Sequence, residues 1–253
     1  MSVKIKDNFA IEKMRNAGRL LASVFDQVES QIKEGASTAA IDAWIANQLD
    51  LKELVSQSKG YHGYAHVSCI SVNDVVVHGV PSEHVILKNG DLVGVDVCAA
   101  WEGYCADMAR CYIVGNVQNE KISRLVAVAS QALDKGIAQA TVGSRVFDIS
   151  ATIQQHVEEA GYGIVRDFAG HGIGKKMHEE PDVPNYGTAG TGMRLKAGMT
   201  FAVEPMITQG SHKVLIDSDG WTARTEDGLL AAHVEDTILV TAHGPEILTR
   251  PSK

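Results

Sequence analysis

No Cys-x-x-Cys pair occurs among the four cysteines, which stand at positions 69, 98, 105 and 111. A zinc ribbon and a thioredoxin-like couple are both disfavoured by that spacing. Nowhere do eighteen apolar residues run together, and the opening stretch MSVKIKDNFAIEKMRNAG has no apolar signal core. These absences predict a reducing cytoplasm, free thiols and no membrane partner. Lys/Arg-rich runs are missing too: 23 basic residues stand against 31 acidic ones, a net charge of −8. That balance argues against an anionic-membrane footprint and against sequence-specific nucleic-acid binding. No Pro- or Ser-rich linker divides the 253 residues, so one domain, 1–253, is expected rather than two that could separate. What is present is ordinary globular composition, 45% apolar and 21% charged, which excludes disorder, collagen and coiled coil. A chain of this length buries enough surface to fold without disulfides or a structural metal. Part of the acidic excess reads as functional, since carboxylates gathered around a cation count formally as surplus charge.

Periodicity predicts a doubled rhythm. Asp7 or Asn8 caps a first helix whose apolar residues Ile11, Met14, Leu21, Val24, Phe25, Val28 and Ile32 recur at helical spacing up to Gly35. Ser37 or Thr38 opens a second, with Ile41, Trp44, Ile45 and Leu49 on one face. Short β-rich runs follow at Ser68–Ser71, Val75–Val77 and Leu92–Val97, punctuated by Asn-Asp, Gly-Val-Pro and Asn-Gly-Asp. Helices near 118–139 and 145–160 then repeat the pattern, before strands at Tyr162–Phe168, Thr200–Val203 and Val234–Thr241. The fold class expected is α+β, with pseudo-symmetric halves of about 1–115 and 116–253 and a cleft between them.

Asp96 and Asp107 carry the strongest local chemistry. The segment DVCAAWEGYCAD reads as a hairpin with its tip at Trp101-Glu102-Gly103. Pairing about the midpoint of Trp101 and Glu102 sets the two aspartates directly opposite, roughly 5 Å apart at Cβ. Like charges so placed repel, and the apolar run LVGVDV raises the cost. A cation between them removes the difficulty; a different register, with one aspartate on the solvent face, removes it equally.

Glu204 in MTFAVEPMI and Glu235 in AAHVEDTILV sit in equally apolar company, where glutamate is rarely found unless paired or metal-bound. Taken singly, Glu204 is accounted for by a turn at Pro205 and Glu235 by a strand edge. Four such carboxylates together are harder to explain that way. His171 and His178 lie in AGHGIGKKMHEEP, whose Gly170, Gly172 and Gly174 allow close backbone approach and preclude a stable helix. His78 ends the strand VVVHG. Each of the three also admits a plain packed, hydrogen-bonded role, whereas His62, His66, His84, His156, His212 and His243 occupy polar or turn settings. Four carboxylates and one imidazole suit two divalent ions of Mn, Fe, Co or Zn, and the lack of a thiolate set disfavours structural zinc.

The motifs NDVVVHG (73–79), the Asp96/Asp107 pair, AGHGIGKKMHEEP, FAVEPM and HVEDT, in this order, resemble the type I methionine aminopeptidases of the pita-bread metallopeptidases. The resemblance runs from IEKMRNAGRL to EILT. It implies two pseudo-symmetric α/β halves around a central, antiparallel-rich sheet, and removal of an initiator methionine when the second residue is small and uncharged. By position, it implies that Asp96, Asp107, His171, Glu204 and Glu235 hold two divalent ions. Asp107 and Glu235 would bridge them, His171 and Glu204 would hold one, and Asp96 the other. It further implies that Glu204 takes a proton from the attacking water, that His178 hydrogen-bonds the scissile carbonyl, and that His78 sits near the scissile nitrogen. Tyr61, Tyr64, Cys69, Met177 and Trp221 match the pocket for the first residue. Nascent chains and peptides with N-terminal methionine are the implied partners, with contact to the ribosome and a monomeric state.

Several positions depart from the family pattern. Met177 stands where a phenylalanine is usual, Cys105-Ala106 replaces His-Gly, and Ala65, His66 and Ser68 replace the usual Pro-Lys pattern. His233 and Asp236 flank the last glutamate, where Gln and His are common. Prolidase and aminopeptidase P would need a further N-terminal domain, creatinase lacks this ligand set, and a type II enzyme would need an insertion that the interval between His171 and Glu204 is too short to hold. A non-catalytic, RNA- or ribosome-binding relative would have lost ligands and gained basic patches, and this chain has done neither.

Overall fold

The computed structural model describes residues 3–116 and 119–250. Helix α1 spans Asn8–Val28, and the Asp7 side chain accepts the Ala10 N–H at 2.8 Å. Ser37 caps α2 (Thr38–Leu51) in the same way, through Ala40. Each cap satisfies an N–H that a helix start otherwise leaves free. The first helix ends earlier than its apolar spacing suggests, passing into a 3₁₀ turn at Glu29–Gln31. Strands β1 (Val55–Ser56), β2 (Cys69–Val72), β3 (Val75–Val77), β4 (Leu92–Trp101) and β5 (Tyr104–Ile113) follow. Helices α3 (Glu120–Ala138) and α4 (Val146–Glu159) open the second cycle; residue 118, where the first of them was expected to begin, lies outside the described residues.

After α4 come β6 (Gly163–Ile164), β7 (Ala169–Gly172), β8 (Glu179–Pro184), β9 (Thr200–Val203) and β10 (Met206–Thr208). The chain closes with β11 (Val214–Ile216), β12 (Ala223–Thr225), β13 (Ala231–His233), β14 (Glu235–Thr241) and β15 (Gly244–Ile247). The strand expected over Tyr162–Phe168 is only two residues long. It pairs with β10 at Ile164 and Gly163, and the chain then leaves the ladder, taking Phe168 to the edge of the His78 ring, 5.2 Å between centroids.

Nine strands form the main sheet in the order β1-β4-β5-β14-β9-β7-β8, with β2 added to β4 and β15 to β14. Strands β13-β10-β6 and β11-β12-β3 make two smaller sheets. Side-chain alternation divides the main sheet into two faces. Val93, Val95, Val97, Ala99, Ala106 and Met108 pack with α1 and α2. Phe201, Val203, Ile238 and Val240 pack with α3 and α4. The intervening positions point the other way.

The β4–β5 hairpin turns on Glu102 and Gly103, both at positive φ, 46° and 81°. Such two-residue turns match the twist of the flanking strands. Trp101 then pairs with Tyr104, so Asp96 lies opposite Ala109 and Asp107 opposite Cys98. The direct opposition of Asp96 and Asp107 is thereby corrected to a diagonal. Each partner has moved by two residues, so both aspartates still share one face.

Phe201 is fully buried between the sheet and the second helix pair. Phe201→Ala is expected to cost about 3–5 kcal/mol, read as a lower urea midpoint with an unchanged slope. An unchanged midpoint would mean that this interface does not hold the sheet.

Candidate metal centre

Five neighbouring strands of the main sheet contribute to one site. Asp96 comes from β4, Asp107 from β5, Glu235 from the start of β14, Glu204 from the residue after β9, and His171 from β7. The register explains their meeting. Asp96 and Glu235 both lie opposite Ala109, and His171 and Thr237 both lie opposite Ala202. Residues two apart on a strand share a face, so all five side chains emerge on the face opposite the one packed under the α1–α2 and α3–α4 clusters. Gly170 and Gly172 make the placement of His171 possible. A Cβ on Gly170 would lie 2.4 Å from the Ala202 carbonyl oxygen, and one on Gly172 2.3 Å from that of Glu180.

The His171 Nδ1 lies 3.0 Å from the Gly172 carbonyl. Donation there leaves the Nε2 lone pair facing Glu204 Oε1 at 3.5 Å and Asp107 Oδ2 at 4.0 Å. A backbone partner on the other ring nitrogen is the usual way to orient a ligating imidazole. Glu235 is 2% exposed, and its Oε1 has no hydrogen-bond partner. Burial and mutual repulsion push the carboxyls of Asp96, Asp107 and Glu235 up, and burial alone does so for Glu204. Burial lowers His171 to about 3 and His78 to about 4, so both imidazoles are neutral at neutral pH, and that of His171 is free to bind a cation.

The donor set fits divalent ions. Donors each about 2.1 Å from one ion lie roughly 3–4 Å apart, and His171 Nε2 stands 3.5 Å from Glu204 and 4.0 Å from Asp107; Asp96 lines the same cavity but joins neither of the two tightest donor groups. Asp107, His171 and Glu235 offer atoms all within 4.8 Å of one another, and so do Glu204, His233 and Glu235. His233 was noted in the sequence only as a departure from the family pattern; the structure puts it in the site.

A cavity of about 290 Å³ opens on this face, and every residue expected in the site lines it. Tyr61, Tyr64, Cys69, Met177 and Trp221 line it together with His78 and His178. The Tyr64 ring stands edge-on to Trp221, 5.0 Å between centroids, and its hydroxyl donates to the Ser68 carbonyl at 2.9 Å. Asp42 holds the same loop by accepting from the Val67 and Ser68 N–H groups and the Ser68 hydroxyl. His178 Nδ1 lies 3.1 Å from the Tyr61 hydroxyl. Sequence reasoning missed Ser58, Val77, Cys98, Phe168, Ala169, Met206 and His233 as lining residues. Cys98 was detectable by alternation, two positions from Asp96. The six histidines set aside as lying in polar or turn settings do not line the cavity.

The metallopeptidase family M24 model matches residues 12–242. A methionine aminopeptidase of Clostridium acetobutylicum is 42% identical over 245 residues, covering 97% of this chain and 98% of that protein. The crystal structure of the methionine aminopeptidase of Thermotoga maritima superposes with a TM-score of 0.96 at 42% identity, covering 99% of this chain and 100% of the other. The prolidase of Pyrococcus furiosus, 24% identical, shares the fold at a TM-score of 0.79 over 98% of this chain and 66% of its own. The chain therefore belongs to metallopeptidase family M24, in its methionine aminopeptidase branch, and has the pita-bread α+β fold. Among the described residues, no helix is long and apolar enough to cross a membrane.

The buried carboxyls set the pH dependence of the metal-free protein. A carboxyl raised in the folded state binds more protons there than when unfolded, so its contribution to stability falls as pH rises toward the folded pKa. Depressed histidines slope the other way, but only below their unfolded value of 6.5. Between pH 6.5 and about 8, where Asp96 and Glu204 titrate, the metal-free chain should lose stability with rising pH. Added divalent cation should raise the thermal midpoint and flatten that slope. A midpoint insensitive to both pH and cation would contradict the assignment.

Proposed function

We propose that the chain is a methionyl aminopeptidase. It removes the initiator methionine from nascent proteins and peptides whose second residue is small and uncharged. The carrying observation is the convergence of five donor side chains from five adjacent strands on one cavity, in a chain alike end to end with methionine aminopeptidases. Asp96, Asp107, His171, Glu204 and Glu235 would hold the two ions, Asp107 and Glu235 being shared between them. Oxygen-rich donors with imidazole suit Co, Mn, Fe or Zn. Such ions, when bound, lower the pKa of a water and polarise the scissile carbonyl.

The chain's own groups do the rest. Glu204, which lines the cavity beside His171, accepts the proton of the attacking water. Burial keeps His178 neutral. The Tyr61 hydroxyl, donating to Nδ1, leaves the ring proton on Nε2 for the scissile carbonyl and the oxyanion formed from it. His78, at a φ of 58° directly after β3, faces the scissile nitrogen. Residues 1–253 act as one catalytic unit, a reading supported by a main sheet that draws strands from both halves. The enzyme's substrates are peptides and nascent chains that begin with methionine, and the four free cysteines fit a reducing cytoplasm.

His178→Ala should lower kcat by about 10²–10³ with little change in KM, because its hydrogen bond strengthens as the oxyanion develops. A rise in KM alone would make His178 a ground-state contact.

Specificity follows from the pocket wall. Tyr61, Tyr64, Cys69, Met177 and Trp221 offer no charge to match a charged first side chain, while methionine sulfur gains about 0.3–1.5 kcal/mol against aromatic edges. Charged residues lose by desolvation and β-branched ones by stiffness. Met177 is a flexible thioether in place of a rigid ring, so leucyl- and norleucyl-Ala-Ser should be cleaved measurably. Met177→Phe should suppress the leucyl peptide more than the methionyl one. Equal kcat/KM for lysyl- and methionyl-Ala-Ser would overturn the pocket.

A further inference from the structure

Beside the expected ligands stands a second imidazole. His233 ends β13, paired with Met206 on β10, and is 5% exposed. Its Nε2 lies 3.4 Å from Glu204 Oε2 and 4.0 Å from Glu235 Oε2. Neither approach is a hydrogen bond, for Nε2 has no hydrogen-bond partner at all. A buried ring nitrogen left unsatisfied beside two carboxylates is costly unless something else occupies the space between them. Glu204 is flanked on both sides, with Oε1 toward His171 and Oε2 toward His233.

We infer that His233 is itself a metal ligand, completing a three-donor set with Glu204 and Glu235 and giving the centre a second imidazole. This rests on the metallopeptidase reading above. It adds a donor where the resemblance supplies a glutamine, and it changes which ion the centre prefers. Imidazole suits Zn and Fe, whereas carboxylate and water suit Mn. A second nitrogen donor therefore tilts the site away from Mn and toward Zn or Fe.

The test is equilibrium metal binding. Metal-free wild type, His233→Gln and His171→Ala are titrated with Zn²⁺ and, separately, Mn²⁺ against a chromogenic chelator. Glutamine keeps the polarity but not the nitrogen lone pair. His233→Gln should weaken Zn²⁺ at one site by at least about tenfold and leave Mn²⁺ nearly unchanged. In the unaltered chain, the ¹⁵N resonance of His233 Nε2 should move on Zn²⁺ addition, a readout that survives even if the variant folds poorly. Zn²⁺ curves that superpose on wild type, with an unmoved His233 resonance, would overturn the inference. In that case His171→Ala would still lose metal and the metallopeptidase reading would stand. A wild type that binds neither ion would sink both.

Discussion

Four carboxylates forced onto one buried sheet face repel one another, and the rest of the molecule is organised around that conflict. Asp96, Asp107, Glu204 and Glu235 come from neighbouring strands whose register aligns them, so no small rearrangement of side chains can part them. Taking even one such charge out of water is expensive unless it is paired. The strands stay in place because their opposite faces carry the two apolar clusters under α1–α2 and α3–α4. Hydrophobic burial on one face thus holds an electrostatically unfavourable arrangement on the other, and a cation turns that arrangement from a cost into a binding site.

The neighbours Glu235 and Asp236 show how sharply the two faces differ. Asp236 is fully buried, but on the helix side. There Arg110 and Arg250 each approach it to 2.6 Å and the Thr249 hydroxyl donates to it. Arg110 also donates to the Glu235 carbonyl at 2.5 Å, which ties the backbone of the site residue to the charge cluster behind it. Asp236 is answered by the protein's own cations. Among the described residues no lysine or arginine pairs with the Glu235 carboxylate, which faces His233 at 4.0 Å and is pushed up by burial and by Asp107, Glu204 and Asp96.

The chemistry was more legible in the sequence than the geometry. Carboxylates in apolar runs marked all four acidic residues, because burial of charge is improbable without a reason. The hairpin tip falls within Trp101–Gly103 as expected, but the pairing midpoint lies one residue later, between Glu102 and Gly103, because Glu102 adopts a left-handed conformation that its residue type does not announce. That shift moved each partner by two, and the period-2 rule kept both aspartates on the same face. Tyr61 and Tyr64 reach the cavity from a short 3₁₀ turn and its end, and Trp221 from a loop far away in the chain. No periodicity speaks for such positions, and only the resemblance identified them. His233 had a local signal, two residues before Glu235. The chain passes between strands there, and alternation alone does not say where a side chain points across that junction.

The departures from the family pattern sort by what surrounds them. Cys105 packs with Met14, Cys98, Ile173 and Leu239, and its N–H donates to the Gly174 carbonyl; Ala106 joins the α1–α2 cluster. Both are absorbed by apolar packing. Asp236 is absorbed by two arginines and a threonine. Met177 lines the cavity beside the apolar wall, where a softer side chain changes shape but not charge. Asp236 Oδ2 also makes no hydrogen bond, but Arg250 stands 2.6 Å from it, whereas the unpartnered Nε2 of buried His233 is aimed at two carboxylates. Departures that leave nothing unpaired need only tolerance from the fold. One that leaves a lone pair facing the centre of negative charge requires a positive partner, and an ion in that centre is the partner the geometry provides.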